Sequence, residues 1–393
     1  MSVHSPCASI DSHGCSVTLR QIEGPQGREL FISCQPPVDV AGAGRQALAI
    51  YQALLETLRE EGGDAGSIIT DTVYLRDSVD IIAVRDARER ILCADTGVVC
   101  TAATTEIEQP PLNPEACLEV SVYAILPDDA GCDFRLDSVA CEGARGVRVQ
   151  LDNEVRLHAA GLCGIGANAY EQTHSMLVLA EDLLRQAGME FSDVVRTWIH
   201  LREMERDYAE FNRGRREFFE ARHIAPVPAS TAIGGGPVAA GNDLCLGIYA
   251  VKADPAVERT VMSSPTLNEA MQYGADFVRG MRVLECNKET LLISGTASVD
   301  ETGSTAHVGD FGGQARRMLR NLSALLEQQG ATFSDVVSAV TYVKHPSDAP
   351  ELRERFKEAG FGGFPNVMVE AEVCRANLLC ETEAMAVIDR PGR

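Results

Sequence analysis

The sequence predicts an α+β protein made of three tandem copies of one β-β-α-β-α-β unit, and three observations lead there. Phe191-Ser192-Asp193-Val194-Val195 recurs unchanged as Phe333-Ser334-Asp335-Val336-Val337. Behind each copy lies a strand of alternating character, RTWIHLR at 196–202 and SAVTYVK at 338–344, and a third of the same type, TDTVYLR, occupies 70–76. Ahead of each strand stands an amphipathic helix of period near 3.6: QALAIYQALLETLRE, SMLVLAEDLLRQAG and ARRMLRNLSALLEQQG. Repeats this long and this few are domains rather than turns of a solenoid.

Each unit opens with a hairpin-like strand pair: VTLRQIEGPQGRELFIS, VRVQLDNEVRLHAAG and RGMRVLECNKETLLISG. Each closes with one more strand: CLEVSVYAI, LCLGIYAV and LLCETEAMAV. The units therefore run over 16–126, 133–252 and 276–390, after an N-terminal tail at 1–15, with 253–275 reading as a linker. A mixed sheet carrying two helices buries one face only. Three tandem units can cover the other face for one another.

Composition narrows the function. Lys plus Arg number 35 against 57 Asp plus Glu, a net charge of −22, which repels phosphate backbones and argues against nucleic acid as a partner. No apolar run approaches the roughly 18 residues of a membrane span, and the N-terminal residues carry no basic segment followed by an apolar one. A cytoplasmic protein with no membrane partner is expected. The thirteen cysteines include no C-x-x-C pair, and no His pair stands at helical spacing beside a Glu, so no metal is expected. Nor is there a Walker loop, a G-x-S-x-G elbow or a G-x-G-x-x-G turn, so no cofactor is expected.

The unit resembles the Rid superfamily (YjgF/YER057c/UK114), through LLISGTASVDETGS, LEQQGATFSDVVSAVTYVK and the closing LLCETEAMAV. That resemblance implies the chorismate-mutase-like α+β fold, small-molecule pockets between units, and a pseudo-trimeric barrel closed within one chain, a monomer or a dimer in solution. The middle and third units also resemble the chorismatases, through RTWIHL, YAEFNRGRREFF, VPASTAIGG and the ISGTAS strand. Imine-deaminating Rid proteins place an Arg on the penultimate strand against the substrate carboxylate, and a Glu on the final strand to handle water. Here the Arg position is Asn366 in the third unit, Ala229 in the middle one, and Ala103 or Thr104 in the first. The Glu position holds Glu381, Cys245 and Glu119 respectively. No unit keeps the pair.

The third unit offers a different set. Cys374 stands seven residues ahead of Glu381, as in the final segment of chorismatases, where the Glu is the proton donor and the Cys position influences the product. Glu381 and Glu383 share one face of their strand. Arg375 is a replacement clamp for a carboxylate, or a surface arginine. In the middle unit, Arg215 falls inside the apolar stripe of Tyr208, Phe211, Phe218 and Phe219, where a charge requires a partner. That partner is a ligand carboxylate or an acidic side chain, and Gly214-Arg215 matches a step of the chorismatase helix. Gly295 and Thr296 of ISGTAS, and His307 with Asp310 beyond it, complete the candidate substrate-binding set.

Arg196, Trp198, His200 and Arg202 form the polar face of their strand and are expected to turn toward the other units. Three functions stay open. They are acid-assisted hydrolysis of a small unsaturated carboxylate such as an enol ether, deamination of a 2-imino or enamino acid, and binding of a metabolite without turnover.

Overall fold

The repeated Phe-Ser-Asp steps are short 3-10 turns, Phe191–Asp193 and Phe333–Asp335, that feed the central strand of their unit. In each, the Asp carboxylate accepts from a backbone N–H three residues earlier, Glu190 at 2.9 Å and Thr332 at 2.7 Å. The loop is thus locked into one entry angle, which explains why its residues recur. The computed structural model describes residues 7–24, 26–93, 101–127, 133–141, 144–239, 241–269, 276–285 and 288–389.

The first unit comprises β1 (Ala8–Ser12), β2 (Cys15–Gly24), β3 (Gly27–Gln35), α1 (Ala43–Glu60), β4 (Ile68–Leu75), α2 (Ile81–Leu92), β5 (Ala103–Glu108) and β6 (Leu118–Pro127). The second comprises β7 (Phe134–Cys141), β8 (Ala144–Leu151), β9 (Glu154–Cys163), α3 (Ala169–Gln186), β10 (Val194–Leu201), α4 (Met204–Ala221), β11 (Ala229–Gly234), β12 (Gly236–Pro237) and β13 (Leu244–Ala253). The third comprises β14 (Glu258–Val261), β15 (Gly280–Leu284), β16 (Lys288–Ala297), α5 (Phe311–Glu327), β17 (Val336–Val343), α6 (Ala349–Ala359), β18 (Asn366–Glu370) and β19 (Cys380–Asp389).

The three sheets share one strand order: β1-β2-β3-β6-β4-β5, β7-β8-β9-β13-β10-β11 and β14-β15-β16-β19-β17-β18. In each, the pairing of central and penultimate strands is parallel. Each unit carries two strands more than its β-β-α-β-α-β pattern predicts, one at each end of this order: β1, β7 and β14 at one, β5, β11 and β18 at the other. β1 lies in the expected tail, and β14 lies in the expected linker. Both are short strands, which leave little periodicity to read. None of the sheets closes on itself, so the expected barrel is in fact three open sheets whose helix-free faces meet around a common centre.

One side chain recurs in all three units without a sequence motif to announce it. Gln46, Gln172 and Gln314, each in the first turns of its long helix, accept from the backbone where the final strand begins: Cys117 N–H at 2.7 Å, Asp243 N–H at 2.9 Å and Leu379 N–H at 2.8 Å. All three are buried, and they tie the helix to the strand that carries Glu119, Cys245 and Glu381.

The units are stitched edge to edge. β12 extends the first sheet by pairing with β5, Glu370 N–H donates to Pro110 O at 2.8 Å, and Val278 N–H donates to Pro228 O at 3.3 Å. The Gly234-Gly235-Gly236 run serves this stitching. A Cβ on Gly234 would stand 2.8 Å from the Glu372 nitrogen, and one on Gly235 2.9 Å from Gln109. On β10, Val195, Ile199 and Leu201 enter the helix-side core. Arg196 and Trp198 face the third unit instead, both donating to Glu383, at 2.8 and 2.9 Å.

Candidate active site

Alternation on β16 and β19 decides which groups meet between the second and third units. Gly295, Ala297 and Glu381 face β11 and α4 across the interface, while Thr296 and Thr382 turn toward α5. The resulting cavity, about 230 Å³, is walled by Tyr208, Asn212 and Arg215 of α4, Ser230 and Ala232 of β11, Arg279 just before β15, and Cys374, Arg375 and Glu381. Five of the predicted residues converge there: Glu381, Cys374, Arg375, Arg215 and Gly295.

Two do not. Thr296 is buried on the opposite face, its hydroxyl donating to Ser294 O at 2.9 Å. His307 is exposed, at a positive φ of 56° ahead of α5, and Asp310 caps that helix by accepting from Gly313 N–H at 2.9 Å. The TAHVGD loop is therefore a helix entry, and its composition of turn and cap residues explains why it resembles a ligand loop.

Glu381 is nearly fully buried. Burial is the main reason its carboxyl titrates near 8, with the neighbouring Glu383 charge adding to the shift and Arg279, Arg196 and Arg375 opposing it. Its position depends on Gly295, since a Cβ there would lie 1.8 Å from Glu381 Oε1. Gly295 in turn donates its N–H to Thr231 Oγ1 at 2.9 Å, across the unit boundary.

Three arginines line the cavity with this acid. Arg215 is buried, donates to Asn212 Oδ1 at 2.7 Å and Ser230 Oγ at 3.3 Å, and lies over the Phe211 ring at 4.7 Å. Arg279 donates to Asn268 O at 2.9 Å, and Arg375 to Gly303 O at 2.7 Å. Among the described residues lining the cavity, the charged groups are these three and Glu381, which carries its proton at neutral pH. Such a site attracts carboxylates. Cys374 is pushed up to about 12, by burial first and the nearby Glu381 second, so it lines the wall as a thiol rather than attacking as a thiolate.

Arg279, Asn212 and Ser230 are absent from the sequence-derived set. Arg279 is the first residue of the third unit's expected opening hairpin, where nothing in the pattern marks it as a ligand. Its proximity to the acid follows only from the packing of residues 276–279 beside β11. Asn212 and Ser230 are ordinary polar residues until the units meet.

The profile of the family described as Endoribonuclease L-PSP matches residues 156–251 and 269–388, more than half of the chain. The chain belongs to this family. The first unit lies outside the match but repeats the strand order of the other two. Among curated relatives, a 3-hydroxybenzoate synthase of Streptomyces hygroscopicus is 28% identical over 243 residues, covering 55% of this chain and 69% of its own. A RutC family protein of Pyrococcus abyssi is 34% identical over 99 residues, covering 24% of this chain and 76% of its own. Among solved structures, a chorismatase superposes with a TM-score of 0.63 at 19% identity, over 82% of this chain and 93% of that one, which establishes likeness of fold. No described helix of this L-PSP family chain is long and apolar enough to cross a membrane.

Proposed function

We propose that the cavity between the second and third units is the active site of an enzyme that hydrolyses a small unsaturated carboxylate, an enol ether of the chorismate kind, with Glu381 as the acid. The observation that carries this reading is a buried carboxyl, protonated at neutral pH, beside three arginines. The relative named 3-hydroxybenzoate synthase and the chorismatase fold support the same substrate class.

In a vinyl ether CH₂=C(OR)–CO₂⁻, the arginines hold the carboxylate while Glu381 gives its proton to the CH₂ carbon. The oxygen lone pair stabilises the cation that forms, water adds to it and loses a proton, and the hemiketal breaks its bond to OR. The products are a 2-keto acid and the alcohol ROH. A carboxyl that titrates near 8 is an effective donor at neutral pH, where an ordinary glutamate has already lost its proton. The deaminase arrangement has no counterpart at its usual arginine position: Asn366 Oδ1 accepts from Thr341 Oγ1 at 3.0 Å, and Ala229 pairs in register with Arg196.

The test is incubation with chorismate, following its loss and the release of a 2-keto acid. Keto-acid release that depends on Glu381 supports the proposal. Hydrolysis of 2-imino acids but not chorismate would establish the deaminase instead. Calorimetric binding of chorismate with no product would make this a metabolite-binding protein.

A further inference from the structure

A second cavity, about 190 Å³, lies at the centre of the molecule where the helix-free faces of all three sheets meet. It shares no lining residue with the Glu381 cavity. Trp198 lies on its wall, as does the aromatic series Phe31, Tyr123, His158 and Tyr249, whose successive ring centroids are 5.0, 5.3 and 4.4 Å apart.

Its polar groups are buried and incompletely paired. Arg196 is 2% exposed. One of its terminal nitrogens, Nη2, donates to Glu383 at 2.8 Å and to Thr231 Oγ1 at 2.5 Å. The other, Nη1, has no hydrogen-bond partner among the described residues, and the same holds for His158 Nε2 and His200 Nδ1, on side chains 7% and 6% exposed. Buried polar atoms left without partners are uncommon in folded proteins, and three on one cavity wall point to something that the cavity accommodates.

Charge decides the class of occupant. The ionic groups on the wall are two cations, Arg196 and Lys288, and three carboxylates, Glu29, Glu285 and Glu383. They are tied together: Lys288 pairs with Glu29 and, at 3.1 Å, with Glu285, while Arg156 behind them reaches Glu29 at 2.9 Å and Glu285 at 3.2 Å. Burial holds both histidines neutral, near 3 for His158 and near 4 for His200. An anion would meet a wall with more carboxylates than cations, and a cation would displace existing ion pairs. Size limits the occupant further, because a cavity of about 150 Å³ suffices for a benzene ring.

We propose that this central cavity is a second ligand site, for a neutral single-ring compound carrying an acceptor oxygen that receives Arg196 Nη1. This inference does not depend on the chemistry proposed for Glu381. Trp198 is the chain's one tryptophan and lines this cavity and not the other. Its fluorescence therefore reads central occupancy directly.

The experiment titrates the full chain with benzamide, following Trp198 emission and calorimetry in parallel. Saturable binding of one molecule per chain below about 5 mM is expected, within reach of a ligand of this size. No saturation by about 5 mM overturns the proposal. Toluene, which has the ring but no acceptor, and benzoate, which adds a charge, are each expected to bind about tenfold more weakly. Equal binding of toluene removes Arg196 from the assignment, and equal binding of benzoate overturns the neutral class.

Gly247→Val fills the cavity beside Trp198. A Cβ at this position meets nothing closer than 3.6 Å, so the strand accepts it. With circular dichroism and melting temperature unchanged, benzamide binding should disappear. Retained binding places the ligand elsewhere. Ser338→Leu, from the third sheet, repeats the test independently.

Discussion

Glu119 in the first unit and Glu381 in the third occupy the same place in the fold, and their surroundings show what turns a buried carboxyl into a reagent. Each stands on the final strand directly opposite a tyrosine of the central strand, Tyr74 for Glu119 and Tyr342 for Glu381. Each titrates near 8 because burial disfavours the charge. The difference lies on the neighbouring hairpin strand. Glu381 is opposite Ala297, and Gly295 leaves room for its carboxyl. Glu119 receives a hydrogen bond from Gln35, one step beyond the Cys34–Val120 pairing, and the first unit has Ser33 two residues before it. Glu119 lines neither of the two cavities described. The middle unit completes the series with Cys245 opposite Cys163 and His200, so that position holds no carboxyl. A raised pKa is thus shared by two sites, while open space beside arginines belongs to one.

The largest effect should come from removing the acid itself. Glu381→Gln is expected to lower turnover of the enol ether by about 10²–10⁴, with substrate binding much less affected, while Glu119→Gln stays near wild type. Steady-state kinetics on both folded variants checks this, and equal losses would erase the distinction between the two sites.

Arg215→Ala should weaken binding of the carboxylate substrate by about 2–5 kcal/mol, because the contact is buried. Calorimetry with the same substrate measures it. Arg375→Ala should lose less, since Arg375 is only half-buried. A reversed order would move the substrate's carboxylate toward the 303 loop.

Gly295→Ala tests placement alone. Its methyl group would displace the Glu381 carboxyl, and a shift of about 1 Å is expected to lower turnover by about 10². The expected signature is a fall in kcat with little change in KM. Full activity would mean that the carboxyl does not have to sit where Gly295 leaves room for it.

The smallest effect is on stability, and there the two glutamates should behave alike. Their folded-state pKa values lie above the unfolded one, so between about pH 4.5 and 8 the native state holds more protons than the unfolded state. Stability should therefore fall as pH rises through that window, by up to about 1.4 kcal/mol per pH unit for each group. Either Glu→Gln variant should flatten the fall in melting temperature, and a variant that leaves it unchanged would show that its carboxyl ionises freely in the folded protein.

The residues differ in how far the sequence alone revealed them. The Phe-Ser-Asp repeats and the helical periodicity announce three units, because local capping and burial on one face leave a local pattern. The polar face of β10 is legible for the same reason: alternation puts Arg196 and Trp198 opposite Val195 and Ile199 whatever lies beyond them. Glu381, Cys374 and Arg375 are close together in the chain and come into view together. Arg215 is conspicuous as a charge in an apolar stripe. His307 and Thr296 mislead, because a helix-entry loop and the far face of a strand carry the same residue types as a binding loop.

The tertiary structure alone decided which glutamate faces a cavity. Gln35, Ala297 and Cys163 are unremarkable in the sequence, and each acquires meaning only as the cross-strand neighbour of a final-strand residue far along the chain. Arg279 likewise joins the site only when the third unit docks on the second. Periodicity is a property of one segment and survives in the sequence. Register between strands and contact between units are set by the whole packed chain, and the difference between Glu119 and Glu381 lies there.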